Sequence, residues 1–188
     1  MRRFSIMGIT IIIVLIAVLF LDKTMMHKER DLELSDHIYT YMKHKNNQEK
    51  VFYNAIALNE NKSSNACVYF VAEVLRQNKI SISNQTANTA QLISVLKEKG
   101  WKKDNNYRNL LPGDIAFTTD ESGSKNGVPS HTYVFMGWVN EGSYDYAYIC
   151  DNQAKDYDNN IYHIRNIKDS DKVNGVSKDA FSFFMSPK

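Results

Sequence analysis

The chain has 188 residues, of which 43% are hydrophobic and 12% aromatic, and its formal net charge is +2. This composition excludes a largely disordered chain, and the small net charge without a basic stripe argues against a nucleic-acid partner. Two cysteines are too few for a disulfide-rich scaffold, so we expect a single domain with a hydrophobic core.

The N-terminus starts with a basic tail, residues 1–3, and continues with an uncharged apolar run over residues 4–21. A run of this length reaches the lower limit for a membrane-spanning helix, and no small-residue cleavage site follows it. We therefore predict an uncleaved, single-pass signal anchor, with a cleaved signal peptide as the alternative. The basic tail favours a cytoplasmic N-terminus and an extracytoplasmic domain at the cell membrane, joined by a juxtamembrane stalk over residues 22–49.

The remaining residues, 50–188, are predicted to form an α+β domain in which helices come first and an antiparallel sheet follows. Apolar residues at helical spacing indicate three helices, over residues 50–58, 66–78 and 89–99. Segments rich in β-branched and aromatic residues indicate strands over residues 114–117, 132–139, 144–150, 161–167 and 180–185. A hairpin turn over residues 140–143 is expected between the second and third of these strands.

Cys67 is the candidate nucleophile because it lies at the start of the most apolar helix. Free backbone N–H groups and the helix dipole favour a thiolate at such a position. Each of the preceding residues Ser63, Ser64 and Asn65 is a suitable N-cap. The residues alone leave two alternatives open for Cys67, a plain buried thiol and a disulfide with Cys150.

His131 is the candidate base because it lies at the beginning of a predicted strand, directly after a polar loop. If the hairpin turn is centred on residues 141–142, His131 lies opposite Asn152 on the same face of the sheet. A turn that is longer or shorter by one residue would place Gln153 or Asp151 there instead. All three side chains can accept a hydrogen bond from an imidazole. The register favours Asn152, and Asp151 follows closely because a carboxylate would also stabilise an imidazolium.

The other polar candidates are interpreted as structural. His163 lies in a strand-like stretch and is expected to be structural rather than to orient His131, and Asp114 is expected to anchor the turn before its strand. No Cys/His pair has the spacing of a zinc site, so we expect neither a metal ion nor another cofactor.

Four short motifs follow one another in an order that resembles a known family: N-A-C-V-Y-F-V at 65–71, L-P-G-D-I-A-F at 111–117, S-H-T-Y-V at 130–134 and C-D-N-Q at 150–153. Together they resemble the CHAP and NlpC/P60 domains, which are papain-like cysteine peptidases and amidases that cut peptidoglycan. The resemblance covers about residues 50–188. It implies a papain-like fold, with Cys67 as nucleophile, His131 as base, and Asp151 or Asn152 as the residue that orients His131.

The resemblance also implies a hydrolase that forms a Cys67 thioester with a peptidoglycan stem peptide or another peptide. An acyltransferase or a deamidase would use the same thioester, so both stay open as alternatives. A membrane-tethered binding or assembly protein with an inactive site is the alternative from another class. It is motivated by the absence of the family's Glu-x-Asn pattern near residues 150–153.

Overall fold

The structure is a computed structural model that describes residues 30–188. The predicted basic tail, the predicted anchor and the first part of the predicted stalk lie outside the described residues. No helix between residues 30 and 188 is both long enough and apolar enough to cross a membrane. In this range four helices are followed by an antiparallel sheet, so the predicted α+β order is confirmed.

The helices and strands have the following bounds. The helices are α1 (Leu32–Lys43), α2 (Lys45–Leu58), α3 (Cys67–Gln77) and α4 (Thr89–Glu98). The strands are β1 (Lys102–Asp104), β2 (Ile115–Thr118), β3 (Thr132–Trp138), β4 (Tyr146–Cys150), β5 (Tyr162–Asn166), β6 (Asp171–Val173), β7 (Val176–Lys178) and β8 (Phe181–Ser186).

Six strands form one antiparallel sheet in the order β1-β8-β2-β3-β4-β5, and β6 pairs with β7 in a separate hairpin. Successive side chains of a strand point to opposite faces of the sheet. On one face, residues such as Val134 and Cys150 pack with the helices in the main core. On the other face, residues such as Tyr133 and Phe135 belong to a second, aromatic-rich cluster. Both faces of the sheet at β3 and β4 are therefore buried in hydrophobic clusters.

Helix α3 lies at the centre of the main core. Eight of its 11 residues are buried, and it contacts the three other helices and strand β3. A helix that is apolar on nearly every side must be surrounded in this way to remove that surface from water. This packing fixes the N-terminus of α3, and with it Cys67, relative to β3.

Residues 30–49, which the sequence assigned to a stalk, belong to the folded domain. Ile38 and Met42 of α1 are fully buried in the main core, one helical turn apart on the same face. Arg30 donates to the buried carboxylate of Asp114 at 2.7 Å. The stalk prediction is therefore wrong for residues 30–49, because a mostly polar helix docks its apolar side on the main core through Ile38, Met42 and partly buried neighbours.

The Pro112-Gly113-Asp114 turn is shaped by its contact with α1. Gly113 has a φ of +93°, and a Cβ at this position would overlap the carbonyl oxygen of Ser35. A side chain at residue 113 is therefore excluded by both backbone conformation and space. Asp114 accepts a hydrogen bond from the N–H of Leu111 at 2.8 Å, so it anchors the turn as predicted.

Candidate active site

Cys67 is the first residue of α3, as the sequence predicted. The N-cap, however, is Ala66, whose side chain has no acceptor, and not one of the three preceding polar residues. Asn65 adopts a left-handed conformation with a φ of +57°, so the chain enters the helix one residue later than any expected cap. The first-turn N–H groups are thus left without an N-cap side chain, and they favour an anion beside Cys67.

His131 lies directly before β3, and its backbone is fixed to β2. Its N–H donates to the hydroxyl of Thr118 at 3.0 Å, and its carbonyl accepts from the Thr118 N–H at 3.1 Å. The imidazole is therefore carried by the sheet and faces the start of α3. This is the placement that the sequence predicted for the base.

Asp151, and not Asn152, is the residue that holds the His131 ring. Nε2 of His131 lies 2.8 Å from Oδ2 of Asp151, whose side chain is fully buried. The other carboxylate oxygen, Oδ1, accepts from the N–H of Gln153 at 2.7 Å. Asn152 instead donates to the carbonyl of Ser63 at 2.7 Å, which fixes the loop before Cys67.

The expectation that Asn152 faces His131 is wrong because β4 ends before this residue, so the register of the ladder does not extend to it. The register itself also differs from the expected one, and if it continued it would bring Gln153 opposite His131. Val134 pairs with Cys150, one residue beyond the expected pairing, and a bulge then shifts the register between Phe135 and Gly137. Strand β4 ends at Cys150, so Asp151 follows the ladder instead of belonging to it. A glycine inside a strand is a known signal of a bulge, and Gly137 is the residue that could have indicated it.

Asp151 is a charged carboxylate despite its burial. Burial by itself raises the pKa of Asp151, but the hydrogen bond from His131, the charges that His163 and His131 carry in acid, and the charge of Arg165 together hold that pKa well below its usual range. A buried carboxylate is stable only when it is compensated in this way. Its negative charge is consequently available to stabilise a positive charge on His131.

Cys67 and His131 shift each other's pKa in opposite directions. Burial lowers the pKa of His131, but the interactions with Asp151 and Cys67 raise it above its ordinary value. Burial raises the pKa of the Cys67 thiol, but hydrogen bonding to His131, its charge and the Thr132 N–H lower it below its ordinary value. Since Nε2 of His131 is taken by Asp151, Nδ1 is the nitrogen that serves Cys67. This arrangement favours a thiolate–imidazolium pair.

Cys150 does not form a disulfide with Cys67, because both cysteines of the chain are free thiols. Its side chain is fully buried between the sheet and the helices. Burial and the negative charge of Asp151 raise the pKa of the Cys150 thiol well above its ordinary value. The disulfide alternative is therefore excluded, and Cys150 is the structural thiol of the pair.

A groove of about 590 Å³ opens beside Cys67. Its walls are the start of α3, the start of α4 and the loop over residues 120–130. The hydroxyl of Thr89, at the start of α4, donates to the carbonyl of Pro129 at 2.7 Å, which ties two of these walls together. Val128 stands on the rim with 62% of its surface exposed. The candidate nucleophile therefore lines an open groove whose volume lies within the usual range of ligand sites.

A second cavity, of about 750 Å³, lies between α2 and residues 154–162, and none of the three candidate residues lines it. Its lining includes Phe52, Tyr53 and Tyr162 together with Lys43 and Lys155. It is larger than the groove at Cys67, but it contains no candidate nucleophile.

Two residues near Asp151 were not identified as site residues from the sequence. His163 and Arg165 lie on β5, opposite Ile149 and Ala147 of β4. Paired residues of neighbouring strands share a face, and this pairing brings both side chains to the face where Asp151 lies. The antiparallel pairing of the two predicted strands was the signal that could have found them.

The described residues thus define an α+β protein in which a cysteine, a histidine and an aspartate meet beside a groove. Between residues 30 and 188, no group of three or more His, Cys, Asp or Glu side chains is arranged to hold a metal ion. No protein-family model, no curated protein and no solved structure matches the chain.

Proposed function

We propose that the chain is a papain-like cysteine hydrolase that cleaves an amide bond with Cys67 as nucleophile and His131 as base. The observation that supports this most strongly is the line of interactions from buried Asp151 through His131 to Cys67 at an uncapped helix start. A thiol nucleophile needs a base beside it, a third group that orients the base, and access for substrate. Asp151 and the groove supply the last two requirements.

In the proposed reaction, the thiolate of Cys67 attacks the carbonyl carbon of the amide and forms a carbon–sulfur bond. The carbon–nitrogen bond then breaks, and the leaving nitrogen takes the proton from Nδ1 of His131. A water molecule gives a proton to the now neutral His131 and adds its oxygen to the thioester carbon. The thiolate leaves, the acid product departs, and the imidazolium is restored. Asp151 keeps the ring oriented throughout and stabilises its positive charge whenever the ring is protonated.

The start of α3 has a second proposed role. During the attack, the carbonyl oxygen becomes negative and needs hydrogen-bond donors close to Cys67. The first-turn N–H groups of α3 are available for it because Ala66 provides no capping acceptor. A polar cap at residue 66 would compete with the substrate oxygen for these donors.

The proposed substrate is a peptidoglycan stem peptide or a similar peptide at the outer face of the cell membrane. Three observations support it: the motif order from residue 65 to residue 153, the groove beside Cys67, and the apolar run over residues 4–21. An extended peptide lying in the groove would present its backbone carbonyl to Cys67.

The test is digestion of purified peptidoglycan by the full chain and by Cys67→Ala, with products identified by mass spectrometry. We expect the parent to release fragments that have gained one water, and the variant to release none while its circular dichroism is unchanged. Equal activity of the two proteins would exclude this mechanism. Products joined to an added amine would indicate an acyltransferase, and loss of ammonia alone would indicate a deamidase.

A thiol-reactive probe separates the hydrolase from an inactive binding protein on the same scaffold. We expect the probe to label Cys67 rapidly at neutral pH, since the thiolate is the reactive form. Failure to label Cys67 in the folded chain would contradict the hydrolase and favour the binding protein.

A further inference from the structure

The carboxylate of Asp151 faces two imidazoles, one at each oxygen. Oδ2 lies 2.8 Å from Nε2 of His131, and Oδ1 lies 3.8 Å from Nε2 of His163. The second distance is longer than a hydrogen bond but short enough for a strong electrostatic interaction. His163 is only 7% exposed, and the proposed reaction has no step that uses it.

The hydrogen bonds of His163 fix its tautomer. Nδ1 lies 2.9 Å from the carbonyl oxygen of Asn160, and a carbonyl only accepts, so Nδ1 carries a hydrogen. The ring of Tyr157 stacks on the imidazole, with ring centres 3.6 Å apart and planes inclined by 14°, which holds the ring orientation. In the neutral form, Nε2 therefore has no hydrogen and directs its lone pair toward Oδ1 of Asp151.

This neutral arrangement leaves a buried acceptor unsatisfied. Nε2 of His163 has no hydrogen-bond partner within residues 30–188, and the carboxylate of Asp151 lies 3.8 Å from it. A buried polar atom without a partner is costly. A proton on Nε2 would convert this contact into a charged donor facing Oδ1, in direct competition with His131 for the same carboxylate.

Burial and two neighbouring cationic side chains oppose that proton at neutral pH. The titratable groups that face the ring come from every neighbouring element: Asp151 after β4, Arg165 on β5, His131 before β3, Tyr157, and the Lys178–Asp156 ion pair beyond Tyr157. Burial is the largest influence, and together with Arg165 and His131 it outweighs Asp151 and the hydrogen bond to Asn160, so the pKa of His163 lies below its ordinary value. His163 is therefore neutral at pH 7 and gains its proton only in acid.

We propose that His163 is a positioning residue whose protonation state controls how strongly Asp151 holds His131, and thereby whether Cys67 is a thiolate. With His163 neutral, the negative charge of Asp151 serves the His131 imidazolium alone. With His163 protonated by a proton from solvent, its charge compensates Asp151 and repels the charge on His131. His131 then passes its Nδ1 proton to Cys67, and the reactive pair becomes a neutral imidazole and a thiol.

This inference deepens the proposed function and rests on it, since it concerns the same Cys67–His131 pair. Its chemical consequence is that the thiolate form of Cys67 is lost over a narrower pH range in acid than a single thiolate–imidazolium pair would give. The consequence can be measured without a substrate, because alkylation of Cys67 reports the thiolate directly.

The experiment follows alkylation of Cys67 by iodoacetamide between pH 4 and pH 8 in the full chain kept soluble with mild detergent, with the modified peptide quantified by mass spectrometry. The variants are His163→Gln, which cannot gain a charge, and the matched control His37→Gln, whose side chain is exposed on α1. At the acid end we expect His163→Gln to react on the order of tenfold faster than the parent, because a charge within a few Å shifts a pKa by about one unit or more. The profiles should converge near pH 8, and His37→Gln should follow the parent throughout.

Two results would overturn the inference in distinguishable ways. If the His163→Gln profile superposes on that of the parent while Cys67 still ionises below the ordinary thiol range, the role of His163 is wrong and the proposed function stands. If Cys67 of the parent ionises like an ordinary thiol, the proposed function fails and the inference fails with it.

A second measurement covers the case in which His163→Gln does not fold. The ring signals of His163 and His131 are followed by NMR during an acid titration of the parent chain. We expect the His131 signals to shift in the pH range where His163 becomes protonated, because the two rings share Asp151. Independent titration of the two rings would overturn the inference.

Discussion

The start of α3 and the end of β4 each hold one cysteine, and the two regions shift the pKa of the thiol in opposite directions. Both thiols are buried, and burial raises the pKa of both. Cys67 nevertheless has a lowered pKa because His131 stands beside it, whereas Cys150 has only the negative charge of Asp151 nearby. Asp151 disfavours both thiolates directly, yet through His131 it favours the one at Cys67. Burial raises the pKa of both thiols, so the difference between them comes from the neighbouring charge: His131 reverses the direction at Cys67, whereas Asp151 adds to the effect of burial at Cys150.

The largest effect is expected from removing the thiol at the start of α3. Cys67→Ala should lower kcat/KM for peptide hydrolysis by about 10⁴-fold or more, because no thioester can form. Cys150→Ala should retain the activity, since its thiol faces the main core. Assays of both variants on the same peptidoglycan sample test this prediction. A comparable loss of hydrolytic activity in both variants would mean that the two regions do not differ in function.

The next largest effect is expected from replacing Asp151, which directly follows Cys150 and contacts His131 beside Cys67. Asp151→Asn should lower kcat/KM by about 10² to 10⁴-fold, because an amide cannot stabilise the His131 imidazolium. It should also move the pH profile of Cys67 alkylation toward that of an ordinary thiol.

Asn152→Ala is the matched control for the Asp151 variant. It removes a hydrogen bond to Ser63 and should leave the pH profile of Cys67 alkylation in place. A control that shifts the profile as far as Asp151→Asn does would show that the loop conformation, and not the charge, governs Cys67.

A third prediction compares the reactivity of Cys67 and Cys150 within one molecule. The lowered pKa keeps Cys67 ionised below the ordinary thiol range, and the thiolate is lost only as the pH falls through that lowered pKa. The raised pKa keeps Cys150 protonated through neutral pH. Peptide-resolved alkylation at pH 7 should therefore be at least about 10²-fold faster at Cys67 than at Cys150. The difference should vanish once the chain is unfolded in urea, and its persistence there would contradict a structural origin.

The smallest effect is expected on stability. Cys150→Ala removes a fully buried sulfur from the main core, which should lower the free energy of unfolding by about 1 to 2 kcal/mol. Urea unfolding monitored by circular dichroism measures this change. Cys67→Ala serves as the comparison and should lower it less, because Cys67 lies at the edge of the core beside the groove. A larger loss for Cys67→Ala would reverse the assignment of the structural thiol.

Regular, strongly apolar segments could be predicted from the sequence. The helix at Cys67, the strand after His131 and the order of helices before strands follow from apolar spacing, which acts over a few residues. Short polar elements could not be predicted in this way. Strand β1, with the sequence Lys-Lys-Asp, forms only because β8 offers it an edge. Helix α1 docks through three buried residues, Ser35, Ile38 and Met42, that a stalk could equally contain.

The sequence by itself determined that Cys67 starts a buried helix and that His131 starts a strand, because helix starts and strand periodicity are local properties. Only the tertiary structure decided that Asp151 holds the ring, that Asn152 fixes the loop at Ser63, and that His163 and Arg165 stand next to Asp151. These contacts depend on where β4 leaves its ladder, directly after Cys150, and on the pairing of β4 with β5. A shift of one residue along a strand moves a side chain to the opposite face, so such contacts are set by the assembled sheet and not by any short segment.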